Sequence, residues 1–189
     1  MRILAGTLHN REIIIPSSGT IRPTSSKLRG QVFNICQGGI EGGYALDLFA
    51  GSGAMGIEAI SRGASHCTFV EENRQAIYIL KENLSRLQLA SVTKILPFDV
   101  FKALHTLFST QAPFSFVYID PPYSIIEPLQ GLLQTIDTLL PMTPGAFVFL
   151  ETRKKAFTPP PLSTLPLISH RTSGDSDLWH FEKIDTKTR

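Results

Sequence analysis

Cysteine is scarce in this chain. Cys36 and Cys67 are the only two in 189 residues, and their spacing matches no metal motif and builds no disulfide framework. A reducing cytoplasm is therefore the expected setting. The five histidines (His9, His66, His105, His170 and His180) are scattered without companion ligands, so no metal site is expected. No run of about 18 apolar residues occurs, which leaves no candidate for a membrane-spanning helix. The opening MRILAGTLHN lacks the apolar core of about 7–15 residues that a secretory signal carries. Charge is also sparse, at 18% of residues against 42% hydrophobic, a globular rather than a disordered balance. The length suits one domain with a real core, and no internal repeat interrupts it.

The few charges are unevenly placed. The formal net charge is +2. Residues 1–40 hold Arg2, Arg11, Arg22, Lys27 and Arg29 against the single acid Glu12, so this segment carries +4 and the remainder −2. A basic N-terminal segment on a faintly acidic body points to a polyanion contact at one end. A solvated surface with chance asymmetry accounts for the same charges.

Hydrophobic patterning predicts an N-terminal hairpin from Arg2–Gly6 and Glu12–Ile15, then a loop from Pro16 to Pro23. A helix follows, capped by Thr24 or Ser25, with Leu28, Val32, Phe33 and Ile35 on its apolar side. Gly38, Gly39, Gly42 and Gly43 close this extension, which is taken as residues 1–43, with the main domain over 44–189. From Tyr44 onward strands and helices alternate. Strands are predicted at Ala45–Phe49, His66–Val70, Val92–Leu96, Phe114–Ile119 and Ala146–Leu150. Helices are predicted at Met55–Ser61, Arg74–Leu87 and Val100–Phe108, with another inside Ile125–Leu140. Two short strands around Leu165–His170 and Leu178–Glu182 complete the sheet as an antiparallel hairpin. The fold class is α/β: a doubly wound, mostly parallel seven-stranded sheet with helices on both faces.

Three features carry chemistry. The first is DLFAGSGAMGIEA over residues 47–59, where a strand ends at Phe49 and a turn through Ala50, Gly51 and Gly53 opens a helix. Glycine permits the tight turn and the close approach of a ligand to the backbone. The G-x-G-x-x-G pattern ending at Gly56 fits a dinucleotide as readily as another nucleoside cofactor. The second is Glu71, at the tip of the next strand, where a carboxylate accepts hydrogen bonds from ribose hydroxyls. That position does not separate NAD from S-adenosyl-L-methionine. Asp47 helps more: a carboxylate there suits the cationic amino end of a methionine moiety and repels a pyrophosphate. Asp99, after the third strand, is placed either to accept from an adenine amino group or to cap the following helix.

The third feature is Asp120-Pro121-Pro122-Tyr123, just past the Phe114–Ile119 strand. Ligands in open parallel sheets bind beyond the carboxyl ends of the strands. The two prolines fix the backbone and remove two N–H donors, leaving carbonyls and the Asp120 carboxylate as acceptors. Such a site holds an NH2 group, and Tyr123 offers a flat face for a base. These residues predict transfer of a methyl group to an exocyclic amine of a nucleic-acid base.

With these motifs the sequence resembles the class I amino-methyltransferases. RILAG (2–6), RPT (22–24) and KLRGQVFN (27–34) narrow the resemblance to the bacterial 16S ribosomal RNA guanine-N2 methyltransferases of the RsmD type, over about residues 1–183. The resemblance implies a Rossmann-like class I fold. It places S-adenosyl-L-methionine against Asp47, Phe49, Ala50, Gly51, Gly53, Glu71 and Asp99, and the target guanine at Asp120–Tyr123. It implies action on 16S ribosomal RNA, held in part by the N-terminal element, and the expected substrate is a small-subunit assembly particle and the expected state a monomer. The basic cluster of Arg2, Arg11, Arg22, Lys27 and Arg29 is expected to hold the RNA. The chain departs from the family pattern at Ser26, Gly30 and Ser173, which bears on the RNA contacts rather than on the methyl-transfer core. Other readings remain: an N6-adenine methyltransferase, which needs the same DPPY platform; a nicotinamide-dependent oxidoreductase, which leaves DPPY idle; and a non-catalytic RNA-binding protein.

Overall fold

The computed structural model describes residues 1–15, 25–109, 112–122 and 125–185. The Pro16 to Pro23 loop, with Arg22, and Tyr123 lie outside the described residues. The strands are β1 (Tyr44–Leu48), β2 (His66–Val70), β3 (Thr93–Leu96), β4 (Phe114–Ile119), β5 (Met142–Arg153), β6 (Leu167–Ser173) and β7 (Ser176–Glu182). The helices are α1 (Ser26–Cys36), α2 (Ala54–Ser61), α3 (Arg74–Arg86), α4 (Val100–Phe108) and α5 (Ile126–Leu139). The seven strands form one sheet in the order β3-β2-β1-β4-β5-β7-β6. The first five run parallel, and β7 is antiparallel to both β5 and β6. The doubly wound, mostly parallel sheet read from the sequence is the observed one.

Each face of the sheet buries its own layer. Side chains of α1, α2 and α3 pack with Ala45, Phe116, Tyr118 and Phe149 on one face. Those of α4 and α5 pack with Leu46, Leu48, Val117 and Ile119 on the other. The alternation along β1 and β4 follows from the two-residue strand period.

Local chemistry sets the helix starts. Ser25 Oγ accepts from Leu28 N at 3.2 Å to open α1. Asn73 Oδ1 accepts from Gln75 N and Ala76 N to open α3, and Asp99 Oδ1 accepts from Phe101 N and Lys102 N to open α4. Helix α2 starts on Gly53, which has no side chain to cap with. Its Gly56 N–H bonds instead to Asp47 Oδ2 at 2.9 Å, so the cap comes from β1.

Strand β5 is longer than the Ala146–Leu150 segment expected. Pro144 and Gly145 read as breakers, yet they lie inside the strand beside a register irregularity between β4 and β5. Pairing with β7 then carries β5 on to Arg153.

The N-terminal extension shares its core with the sheet. An antiparallel bridge joins Arg2 to Glu12, and Ile3, Ile13, Leu28, Val32 and Phe33 are buried in the same cluster as α2. Asn83 of α3 locks this contact: its Oδ1 accepts from Ile14 N, and its Nδ2 donates to the carbonyls of Ile14 and Ser52. The hairpin and the glycine turn are therefore held by one buried side chain.

Candidate active site

β1 and β4 lie side by side at the centre of the sheet, where the chain leaves in opposite directions toward β2 and β5. Such a switch point opens a crevice beyond the strand ends. A cleft of about 390 Å³ lies there. Four strand ends each bring a carboxylate to it: Asp47 from β1, Glu71 after β2, Asp120 after β4 and Glu151 from β5. Phe49, Ala50, Gly51, Pro121 and Pro122 also line it.

The turn after β1 is wound tightly. Phe49 (φ 64), Gly51 (φ 56) and Gly53 (φ 83) all take the left-handed region. For Phe49 this conformation is uncommon, because a Cβ crowds the backbone there. A Cβ on Gly53 would lie 2.4 Å from Leu80 Cδ1. Gly53 itself is buried beneath the turn and does not line the cleft. Glu71 braces the turn, its Oε2 accepting from Gly51 N at 2.7 Å and its Oε1 from Asn73 N at 2.8 Å. Both oxygens keep lone pairs for a ligand hydroxyl. Replacing Glu71 with Ala is expected to weaken binding of a ribose-bearing cofactor by ~1–3 kcal/mol. Titration calorimetry measures this directly.

Asp47 is 2% exposed. Burial, with the charge of Glu71 adding to it, pushes its carboxyl up to about 8, against a downward pull from the Gly56 N–H. Near neutral pH this group is a protonated acid awaiting a cation. A cationic ligand placed beside it is expected to expel the proton. Calorimetry at pH 7 in two buffers of different ionisation enthalpy should therefore show proton release on binding, and buffer-independent heats would contradict this. The same shift makes the ligand-free fold pH-sensitive. The folded chain holds this proton more tightly than the unfolded chain, whose carboxyl titrates near 3.8. The resulting stabilisation is complete below that value and is lost as the pH rises toward about 8.

The described lining residues include five carboxyl groups, those of Asp47, Glu71, Glu72, Asp120 and Glu151, and no lysine, arginine or histidine. With Asp47 protonated, the cleft still holds four other carboxyl groups and no cation among these residues, which attracts a cation and repels a pyrophosphate.

Two sequence expectations need correction. Asp99 does not line the cleft: its carboxylate caps α4, while its neighbours Phe98 and Val100 do line it. The cap reading of Asp99 is the one the structure supports. Arg29, expected to hold RNA, is fully buried. Its Nη2 donates to Arg2 O at 2.6 Å, and its Nε lies 3.5 Å from Glu58 Oε2, an ion pair but too poor in geometry for a hydrogen bond. Glu58 is equally buried, pairs with Arg62 Nε at 2.8 Å, and accepts from Leu4 N and Ala5 N. Arg29 thus pins the hairpin to α2 and cannot reach a phosphate. Arg11 and Lys27 are exposed, as is Arg2, which pairs with Glu12 at 3.4 Å.

Comparison with known proteins places this architecture. The family model described as Conserved hypothetical protein 95 matches residues 1–182. The chain belongs to this family. It is 33% identical over 174 residues to the putative rRNA methyltransferase YlbH of Bacillus subtilis, covering 92% of this chain and 94% of that protein. It is 34% identical over 158 residues to the ribosomal RNA small subunit methyltransferase D of Buchnera aphidicola from Acyrthosiphon pisum, covering 81% and 78%. Among solved structures, the putative methyltransferase yhhF of Escherichia coli superposes with a TM-score of 0.83 at 24% identity, over 97% of this chain and 98% of that one. An RNA methyltransferase of Salinibacter ruber, solved with S-adenosyl-L-homocysteine, shares the fold at a TM-score of 0.65 and 14% identity, over 87% and 95%. The family resemblance read from the sequence motifs is borne out.

Several lining residues were not singled out from the sequence. Phe98 is 48% exposed at the cleft beside Val100, an apolar wall after β3. An aromatic residue two positions past a predicted strand end was the available signal. Ser25 and Leu28 bring the start of α1 to the cleft. Tyr118, Glu151 and Ser176 also line it and had no local motif to mark them, whereas Ser173, noted from the sequence as a departure bearing on RNA contacts, lines the cleft itself.

Proposed function

We propose that this protein transfers a methyl group from S-adenosyl-L-methionine to the exocyclic N2 of a guanine in small-subunit ribosomal RNA. The observation that carries the reading is the charge of the cleft. Five carboxyl groups, one of them the protonated Asp47, with no cationic side chain among the described lining residues, suit a cofactor bearing both an ammonium and a sulfonium, and oppose a dinucleotide. Family membership and the names of the relatives, rRNA methyltransferases, support RNA as the substrate.

The residues present fit that cofactor. Asp47, buried and raised to about 8, answers a cationic amino group. Glu71 answers ribose hydroxyls, and Phe98 and Val100 offer an apolar wall to the adenine. Bound there, S-adenosyl-L-methionine supplies an electrophilic methyl group. The remaining chemistry falls to Asp120 and its prolines. An exocyclic amine on a base is a poor nucleophile, because its lone pair is delocalised into the ring. Asp120 and the Pro121 carbonyl accept the two amine hydrogens and turn the lone pair out of the ring system. Positioning of this kind contributes several kcal/mol, with ~7–11 kcal/mol as the limit for ideal geometry. Asp120 then takes the proton that the methylated nitrogen gives up, which requires no strong base.

RNA is held outside the cleft, since its acidic lining repels phosphates. Exposed Arg11 and Lys27, with Arg22 beyond the described residues, remain the candidates for phosphate contacts. Neutralising these three together is expected to lower RNA affinity and to flatten its salt dependence by roughly two to three units of slope, with cofactor affinity unchanged. Filter binding across a salt series measures both.

The proposal is tested by incubating the protein with labelled donor and unmethylated small-subunit RNA, then separating the nucleosides. Label in N2-methylguanosine is the expected result. Label in N6-methyladenosine would transfer the same machinery to the alternative base.

A further inference from the structure

The mechanism above leaves Glu151 unused, although it lies beside Asp120. Ile119, the last residue of β4, pairs with Leu150 of β5, so Asp120 and Glu151 each directly follow a paired residue. Neighbouring strands are ~4.8 Å apart. Tyr118, two residues before Asp120, pairs with Phe149, two residues before Glu151. Both line the cleft.

Glu151 is held firmly. Tyr118 Oη donates to its Oε2 at 2.6 Å, and Ser176 Oγ donates to its Oε1 at 2.7 Å. Tyr118 and Ser176 are themselves buried. Two hydroxyls from β4 and β7 thus fix the carboxylate at the cleft wall, and each oxygen retains a lone pair for a further donor.

The bases that carry an exocyclic amine differ in the atom next to it on the Watson–Crick edge. In guanine, N2 adjoins N1–H, a second donor. In adenine, N6 adjoins N1, an acceptor, and in cytosine N4 adjoins N3, also an acceptor. A second carboxylate next to the one that holds the amine therefore pairs with guanine and meets adenine or cytosine lone pair to lone pair. A buried polar group left facing the wrong partner is costly.

The geometry points to Glu151 as the residue that reads N1–H of the target base and so selects guanine over adenine and cytosine. This inference rests on the guanine reading above and adds the residue that enforces it. Asp120 positions the amine, and Glu151 checks its neighbour.

The test uses 2-aminopurine, which keeps the N2 amine of guanine but presents N1 as an acceptor. Small-subunit RNA is prepared with guanine or 2-aminopurine at the methylated position, and kcat/KM is measured for the wild-type protein and for Glu151→Gln. The wild type is expected to prefer guanine. In Glu151→Gln the amide donates to N1 of 2-aminopurine, so the guanine to 2-aminopurine ratio, measured at saturating cofactor, should fall by ~10–100-fold. A ratio equal in the two proteins overturns the inference, even if both rates drop, because a purely structural role lowers both alike. Should Glu151→Gln fold poorly, Ser176→Ala removes one of the two donors that aim the carboxylate and should lower the ratio less, in the same direction. An unchanged ratio there overturns the inference as well. If the wild type labels adenine rather than guanine, the functional reading itself fails, an outcome distinct from equal ratios on a confirmed guanine.

Discussion

Asp120→Ala is expected to abolish methyl transfer while cofactor affinity stays within a few-fold of wild type. Asp120 sits just past β4, while the glycine turn and Glu71 lie past β1 and β2. Its backbone N–H reaches back to Leu48 O, and Pro121 and Pro122, each with a fixed φ, follow it directly. Removing it takes away an acceptor for the amine and the group that receives the proton, without touching the Asp47–Gly56 bond that starts α2. Positioned acid–base groups contribute ~10²–10⁴-fold to rate, so turnover should fall by at least that much. Single-turnover assays at saturating cofactor, paired with calorimetry, separate the two effects. Near-normal turnover would move the chemical centre elsewhere.

Arg29→Ala is expected to destabilise the fold by ~3–5 kcal/mol, the cost of breaking a buried ion pair from one side. The guanidinium is enclosed between Arg2 O, Met1 Sδ and Glu58. Burial lowers its pKa, and the charge of Glu58 opposes that shift. Truncation leaves a buried space and removes one of the two cations facing Glu58, with Arg62 remaining. In a chain of this length each kcal/mol shifts the melting temperature by ~2–4 °C, so a fall of about 10 °C is expected. The salt slope of RNA binding, measured on folded protein at low temperature, should not change. An unaltered melting temperature with a reduced slope would return Arg29 to the RNA interface.

The contrast between these residues shows which information the sequence carries. Asp120 was legible because its neighbours in the chain supply its context: a strand ending in the apolar run Phe116–Ile119, then two prolines. The glycine turn was legible for the same reason, and Ser25 and Asp99 stood among the candidate caps because such caps act within three residues. Arg29 was misread because a charge count carries no burial. A signal was present, since Arg29 stands three residues before Val32 and four before Phe33, on the apolar side of α1. Its partner Glu58 lies on another helix and had no marker. Glu151 was invisible for a related reason. Its partners Tyr118 and Ser176 are 33 and 25 residues away in the chain, and only strand pairing unites them. Strand β5 runs past the expected Ala146–Leu150 because antiparallel pairing with β7, distant in the chain, extends its far end.

The central claim, a guanine-N2 methyltransferase of small-subunit ribosomal RNA, is tested most directly by mapping modified nucleosides in ribosomal RNA from cells with and without this protein. The account predicts the loss of one N2-methylguanosine from the small-subunit RNA, restored by the wild-type protein and not by Asp120→Ala. Loss of an N6-methyladenosine instead, or an unchanged small-subunit RNA, would contradict it.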